Sequence, residues 1–261
     1  MQTSETFIFD KIIFGPVKSR RLGISLGINL LPTDSKLCNF NCIYCECGWN
    51  KLSTRNKTPF HPISVVRENL EEALKHLKEK NILPDAITFA GNGEPTMHPG
   101  FSAIIDDTIA LRNIYFPNSK VAVLTNATML NRPIVVKTLK KVDLKIFKLD
   151  AGTEETFQSI NQPKSHRSLQ WIVDHLQYFN RDLIVQSMFL KGFCNGVFIN
   201  NTSEKNVNSW LRLLQTIKPK QVMLYSIDRA TAEKELKKIS KEKLDEIATK
   251  VNELGIETMV S

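Results

Sequence analysis

Cys38-Asn39-Phe40-Asn41-Cys42-Ile43-Tyr44-Cys45 follows an apolar run, Ile24 to Leu31, that reads as a buried strand. Three cysteines separated by three and two residues on a tight loop after a strand can converge their thiolates on one centre. Soft thiolate donors select zinc, copper(I) or iron-sulfur. A four-iron cluster needs a ligand for each iron, so Cys38, Cys42 and Cys45 would leave one iron open to a small molecule. The competing centre is a structural zinc knuckle completed by Cys47. Zinc ribbons usually draw ligands from two separated pairs, whereas these four cysteines lie in one ten-residue stretch and Cys194 is isolated downstream. The close Cys45-Glu46-Cys47 spacing makes joint ligation awkward. Cys47 is then either without a role or a candidate catalytic thiol able to donate a hydrogen atom.

Outward from this loop, short apolar runs alternate with helical patterns. Ala86 to Ala90, Val121 to Thr125, Leu144 to Leu149, Leu183 to Leu190 and Val222 to Ile227 read as further strands. Between them apolar residues recur at three- and four-residue spacing: Val66, Leu70, Leu74 and Leu77, then Val207, Trp210, Leu214 and Ile217. Leu244, Ile247, Val251 and Leu254 repeat the pattern before Gly255 stops the helix. One stripe per helix means one buried face, and buried strands joined through helices imply a parallel sheet. The class is α/β, a partial (β/α)6 TIM-like barrel with parallel strands and helices outside. One domain is expected over residues 1–261, with 1–22 as an N-terminal extension and 240–261 as a C-terminal helix and candidate final strand. The least regular stretch, Cys45 to Ile63, is expected as a long polar loop over or beside the site.

In such folds the active site forms where strand C-termini feed into loops. The chemically informative residues fall there. The cysteine loop follows the first strand and Gly91-Asn92-Gly93-Glu94 the second; Thr125 and Asn126 follow the third; Lys148 and Asp150 end the fourth; Gln186 and Met188 lie on the fifth, Tyr225 and Ser226 on the sixth. Gly91 and Gly93 allow close backbone approach to a ligand, and Glu94 offers a carboxylate to an ammonium, although the same four residues also read as a plain turn. Lys148 is a solvated charge or, if desolvated, a Schiff-base former or carboxylate clamp. His61, His76, His98, His166 and His175 have no metal-ligand spacing, and only His98 falls near the inferred site.

Composition bounds the setting. The chain has 261 residues, 42% hydrophobic, enough for one substantial core. Five cysteines, four at one locus, do not resemble a secreted disulfide framework, so a cytoplasmic setting is expected. Residues 1–13 lack the pattern of a secretory signal, and no run of about 18 apolar residues would span a membrane. Lys and Arg total 35 against 27 acidic residues, a formal +8 that makes an anionic partner worth weighing. Lys18, Arg20 and Arg21 with Lys51, Arg55 and Lys57 flank the cysteine loop as a rim able to contact phosphate.

Cys-x-x-x-Cys-x-x-Cys with an aromatic, Tyr44, before the last cysteine resembles the signature of the radical S-adenosylmethionine (radical SAM) superfamily. The resemblance implies that Cys38, Cys42 and Cys45 hold a [4Fe-4S] cluster and that S-adenosylmethionine chelates the open iron. One electron then cleaves the sulfonium to a 5'-deoxyadenosyl radical, which takes a hydrogen atom from substrate. Gly91, Gly93 and Glu94 are similar to the glycine-glycine-glutamate motif that grips the methionine amino group, with Asn92 a departure between the glycines. Family patterns also put ribose contacts near Asn126 and Asp150 and adenine packing against Tyr44. The resemblance implies an oxidoreductase fed by an external electron donor such as flavodoxin or ferredoxin.

Ser19 to Gly27, Lys148 to Gly152 and Ser226 to Arg229 further resemble a subgroup akin to the tRNA wybutosine-synthesis radical enzyme. That enzyme relies on a second cluster bound by N-terminal cysteines, and residues 1–37 contain none, so only the class of enzyme carries over. The substrate stays open, RNA or protein among the candidates, as does the oligomeric state. A glycyl-radical-activating enzyme acting on a partner protein and a zinc-binding RNA or protein adaptor are the alternatives.

Overall fold

The computed structural model describes residues 6–50, 60–164 and 167–261. Its centre is a curled, mostly parallel sheet in the order β1-β2-β3-β4-β5-β6-β8-β10. The parallel run comprises β2 (Gly23–Ile28), β3 (Ala86–Phe89), β4 (Lys120–Thr125), β5 (Leu144–Lys148), β6 (Ile184–Cys194), β8 (Gln221–Ser226) and β10 (Glu257–Val260). The expected partial barrel is present, with β10, in the stretch read as holding a candidate final strand, as a seventh parallel strand after the six apolar runs. Its alternation follows from composition: the strands are largely apolar, and a helix stands between each parallel strand and the next.

The helices are α1 (Ile63–Glu79), α2 (Phe101–Tyr115), α3 (Pro133–Leu139), α4 (Glu154–Asn161), α5 (Leu169–Leu176), α6 (Glu204–Ile217) and α7 (Lys241–Asn252). On α1 the buried residues are Val66, Leu70, Leu74 and Leu77, the stripe read from spacing alone. Fully burying each such side chain contributes roughly 1.5–3 kcal/mol. On α6 Val207, Trp210, Leu214 and Ile217 are buried in the same way. Side-chain caps start α4, α5, α6 and α7: Thr153, Ser168, Ser203 and Ser240 each accept a backbone N–H three residues on. Among the described residues no helix is long and apolar enough to cross a membrane.

Two features depart from the sequence reading. Residues 13–19 form β1 (Ile13–Ser19), antiparallel to β2 and bulged between Phe14 and Val17. Pro16 is tolerated because β1 is an edge strand, where a missing ladder donor costs little. Gly27 of β2 makes room for Phe14, whose ring lies 2.2 Å from where a Cβ would stand. Second, β6 runs past the barrel to Cys194 and turns back as β7 (Val197–Asn200), while β9 (Leu236–Lys238) pairs with its other side. Ala122, Ile146, Ile184 and Met223 form a small apolar cluster separate from the large core, and Leu22 of the β1–β2 turn packs against it.

Candidate active site

The cysteine loop and the glycine loop after β3 are bonded to each other. Leu37, beside Cys38, forms a parallel bridge with Gly93: the Leu37 N–H donates to the Asn92 carbonyl at 2.8 Å, and the Glu94 N–H to the Leu37 carbonyl at 3.2 Å. Gly93 has φ +144°, and a Cβ there would stand 1.9 Å from the Leu37 carbonyl oxygen, so glycine is required for the approach. At Gly91, with φ +134°, a Cβ would stand 2.7 Å from the Asn29 side-chain oxygen.

Cys38, Cys42 and Cys45 line one cavity of about 370 Å³. Cys38 sulfur accepts the Phe40 N–H at 3.4 Å and faces the Asn126 amide at 3.6 Å. Cys42 sulfur accepts from the Asn161 amide at 3.4 Å. Burial pushes Cys38 well up and Cys42 up to about 11. Cys45 goes the other way, lowered first by a hydrogen bond from the Cys47 thiol and then by the Lys36 ammonium, while that bond and burial raise Cys47. Cys47 also lines the cavity, its sulfur 3.5 Å from the Gly91 carbonyl. Cys194 is buried in the β6 extension, away from the cavity wall.

Glu94 sits at the cavity wall and is only 2% exposed. One carboxylate oxygen accepts the Thr96 N–H at 3.1 Å, the Thr96 hydroxyl, and the Thr125 hydroxyl at 2.7 Å; the other accepts the Asn126 N–H at 2.7 Å. Burial raises its carboxyl above the usual range, with the hydrogen bonds acting against that shift. The carboxylate is therefore fixed in place and short of a counter-charge, a receptor suited to an ammonium.

Asp150 stands behind the cavity wall rather than on it. Its side chain is wholly buried and does not line the cavity. It accepts from the Tyr44 hydroxyl, from the Asn161 amide at 2.7 Å and from the Met188 N–H at 2.9 Å. The surrounding loop is pinned: Trp210 and Ser187 donate to the Leu149 carbonyl, and a Cβ on Gly152 would lie 2.2 Å from the Asn206 carbonyl oxygen. Asp150 thus orients Tyr44, which does line the cavity. Lys148 lies 3.8 Å from Asp150, 3.3 Å from the Tyr225 hydroxyl and 4.9 Å from the Tyr44 ring centre. Burial alone would lower its ammonium, but Asp150 and then Tyr225 outweigh that and raise it. A lysine held charged suits an anion clamp better than a Schiff base.

Asn92, the departure from the glycine motif, anchors the chain's N-terminal segment. Its amide receives the Phe9 N–H at 2.9 Å and donates to the Phe9 carbonyl at 2.8 Å, so Phe7 and Phe9 join the cavity wall. Sequence reasoning missed this strap, along with Lys36 and Asn161, because no local periodicity marks them. The basic rim needs correction. Arg20 pairs with Asp228 at 3.3 Å, and Arg21 turns to lie 4.4 Å over the Tyr225 ring and lines the cavity. Lys51, Arg55 and Lys57, with residues 51–59 of the loop expected from Cys45 to Ile63, and His166 lie outside the described residues. His98 is not on the cavity wall; its ring bridges the His61 carbonyl at 2.9 Å and the Gly100 N–H at 3.0 Å.

Among the described residues no group of three or more histidine, cysteine or carboxylate side chains is arranged around a single metal ion. The donor set fits a cluster instead: three thiols on the wall of one roomy cavity, beside a backbone stripped of Cβ atoms and a buried carboxylate.

The family model described as the Radical SAM superfamily matches residues 34–191. A Brachyspira hyodysenteriae protein named "GTPase Obg" is 32% identical over 238 residues, covering 90% of this chain but only 32% of its own length, so the chain spans about a third of that relative. A Helicobacter pylori "UPF0026 protein" is 31% identical over 224 residues, 85% of this chain and 68% of its own. The structure of TYW1 with a lysine-pyruvate adduct bound shares the fold, with TM-score 0.61 at 15% identity over 88% of this chain and 73% of that one. The site, the family match and the fold agree that the chain is an enzyme of the radical SAM superfamily.

Proposed function

We propose that this chain holds one [4Fe-4S] cluster on Cys38, Cys42 and Cys45 and receives S-adenosylmethionine beside it. When bound, the two cofactors supply one-electron cleavage of the sulfonium to a 5'-deoxyadenosyl radical that takes a hydrogen atom from substrate. The observation that carries the reading is the Leu37–Gly93 bridge, which puts the cluster ligands and the Glu94 carboxylate on one wall. Glu94 would take the methionine ammonium, with Gly91 and Gly93 allowing close backbone approach. Tyr44 and Asn126 would flank the nucleoside, with Asp150 orienting Tyr44 from behind. An external reductant such as flavodoxin or ferredoxin would deliver the electron. The strap residues Phe7 and Phe9 give the cavity an aromatic wall. The test is anaerobic incubation with dithionite and S-adenosylmethionine. Formation of 5'-deoxyadenosine by the wild type and its loss in Cys42→Ala is the expected result, whereas equal formation by both would contradict it.

A further inference from the structure

Arg21 lines the cavity with a buried guanidinium nitrogen that has no acceptor among the described residues. The two acidic side chains on the cavity wall are committed elsewhere. Glu46 pairs with Arg229 at 2.9 Å, and Glu94 is held by Thr96, Thr125 and Asn126. Lys148 also faces the cavity, within 5.9 Å of the same Tyr225 ring that Arg21 covers at 4.4 Å. Asp150 pairs with Lys148 at 3.8 Å, and among the described residues Arg21 has no ion pair. Next to Lys148 in register, on β6, stands Gln186, which is 5% exposed and lines the cavity, yet no hydrogen bond engages its side-chain amide among the described residues. Buried donors in proteins are almost always satisfied, so the unmet Arg21 nitrogen, on one cavity wall with Lys148 and Gln186, points to a ligand that brings an acceptor.

We propose that Arg21, Lys148 and Gln186 form an oxyanion subsite that takes a carboxylate or phosphate group of the substrate. The proposal rests on the cofactor reading above and adds the chemical class of what is bound beside the cofactor. Arg21 supplies a planar, permanently charged fork, Lys148 a point charge, and Gln186 a neutral donor that fixes orientation. Arg21 reaches this position from the β1–β2 turn at one edge of the barrel and meets Tyr225 on β8 near the other, so the subsite is assembled only in the folded chain.

Calorimetry on the anaerobically reconstituted, unreduced protein tests this, with malonate and orthophosphate as probes, each with and without saturating S-adenosylmethionine. At least one anion should bind, should still bind with S-adenosylmethionine present, and should weaken by about tenfold or more in Arg21→Gln. Gln186→Leu, which changes no charge, should weaken it less, and it supplies the reading if Arg21→Gln does not fold. S-adenosylmethionine affinity should be unaffected by either substitution. Preference for malonate or orthophosphate identifies the group as carboxylate or phosphate. Absence of anion binding to the wild type, or binding indifferent to both substitutions, overturns the subsite. Anion binding abolished by S-adenosylmethionine, with cofactor affinity lost in Arg21→Gln, gives the donors to the cofactor's own carboxylate and overturns it too. Failure of S-adenosylmethionine itself to bind counts against the cofactor reading, while anion binding sensitive to Arg21→Gln would still support the subsite.

Discussion

The Glu94 carboxylate accepts the Asn126 backbone N–H at 2.7 Å, tying the loop after β3 to the loop after β4 at the wall that also carries Cys38. The carboxylate is thereby aimed before any ligand arrives, and preorganisation of this kind lowers the ordering cost of binding.

Glu94→Gln keeps the shape of this junction and removes its charge. It should retain cluster iron yet bind S-adenosylmethionine more weakly by roughly 1.5–3 kcal/mol, the range for a hydrogen bond to a charged group. Calorimetry paired with iron analysis checks this; unchanged affinity would remove Glu94 from the ammonium site.

Gly93→Ala should be costlier than its size implies. Its Cβ would meet the Leu37 carbonyl at 1.9 Å in a backbone at φ +144°. Urea unfolding should show a loss of roughly 1–3 kcal/mol or more, with reduced iron loading because Leu37 adjoins Cys38. Gly196→Ala, where φ is +76° but a Cβ meets nothing within 4 Å, should carry the backbone strain alone, unfold with a smaller loss and load iron normally.

The cysteines of the cluster-free protein should alkylate in a fixed order. Cys45, lowered by the Cys47 hydrogen bond and Lys36, should react with iodoacetamide at neutral pH, while Cys42, near 11, and Cys38, higher still, stay protected. Peptide mass mapping across a pH series reads this directly. Cys47→Ala should move Cys45 reactivity to higher pH.

His98 should give stability a specific pH dependence. Burial lowers its ring below the ordinary 6.5, so the folded form keeps it neutral, with Nδ1 accepting from Gly100 and Nε2–H donating to His61. Its folded pKa is depressed, so this contribution is complete above 6.5 and is lost as pH falls from there through the folded value. Denaturant midpoints measured downward from pH 7 should fall more steeply in wild type than in His98→Gln; parallel curves would contradict the assignment.

Much of this was legible in the sequence where the signal is local. The stripes of α1 and α6 follow from side-chain spacing, and the strand ends gave addresses to Cys38, Glu94, Asn126 and Lys148, all of which line one cavity. The strand β1 was hidden because Gly15-Pro16 reads as a turn. The β6–β7 hairpin did carry a signal, Asn195-Gly196 with φ +49° and +76°, the pair that a type I′ turn demands. Exposed Val197 and Phe198 gave it no buried face to read. The contacts of Asp150 and Arg21 were illegible for a different reason: their partners, Tyr44 and Tyr225, are remote in sequence, and only the folded barrel brings them together.

Metal analysis of the reconstituted protein and its single Cys→Ala variants tests the central claim most directly. The account predicts a brown protein with about four irons and as many sulfides per chain, lost in Cys38→Ala, Cys42→Ala and Cys45→Ala and kept in Cys47→Ala and Cys194→Ala. A colourless protein carrying one zinc, or iron lost as completely in Cys47→Ala as in Cys42→Ala, would contradict it.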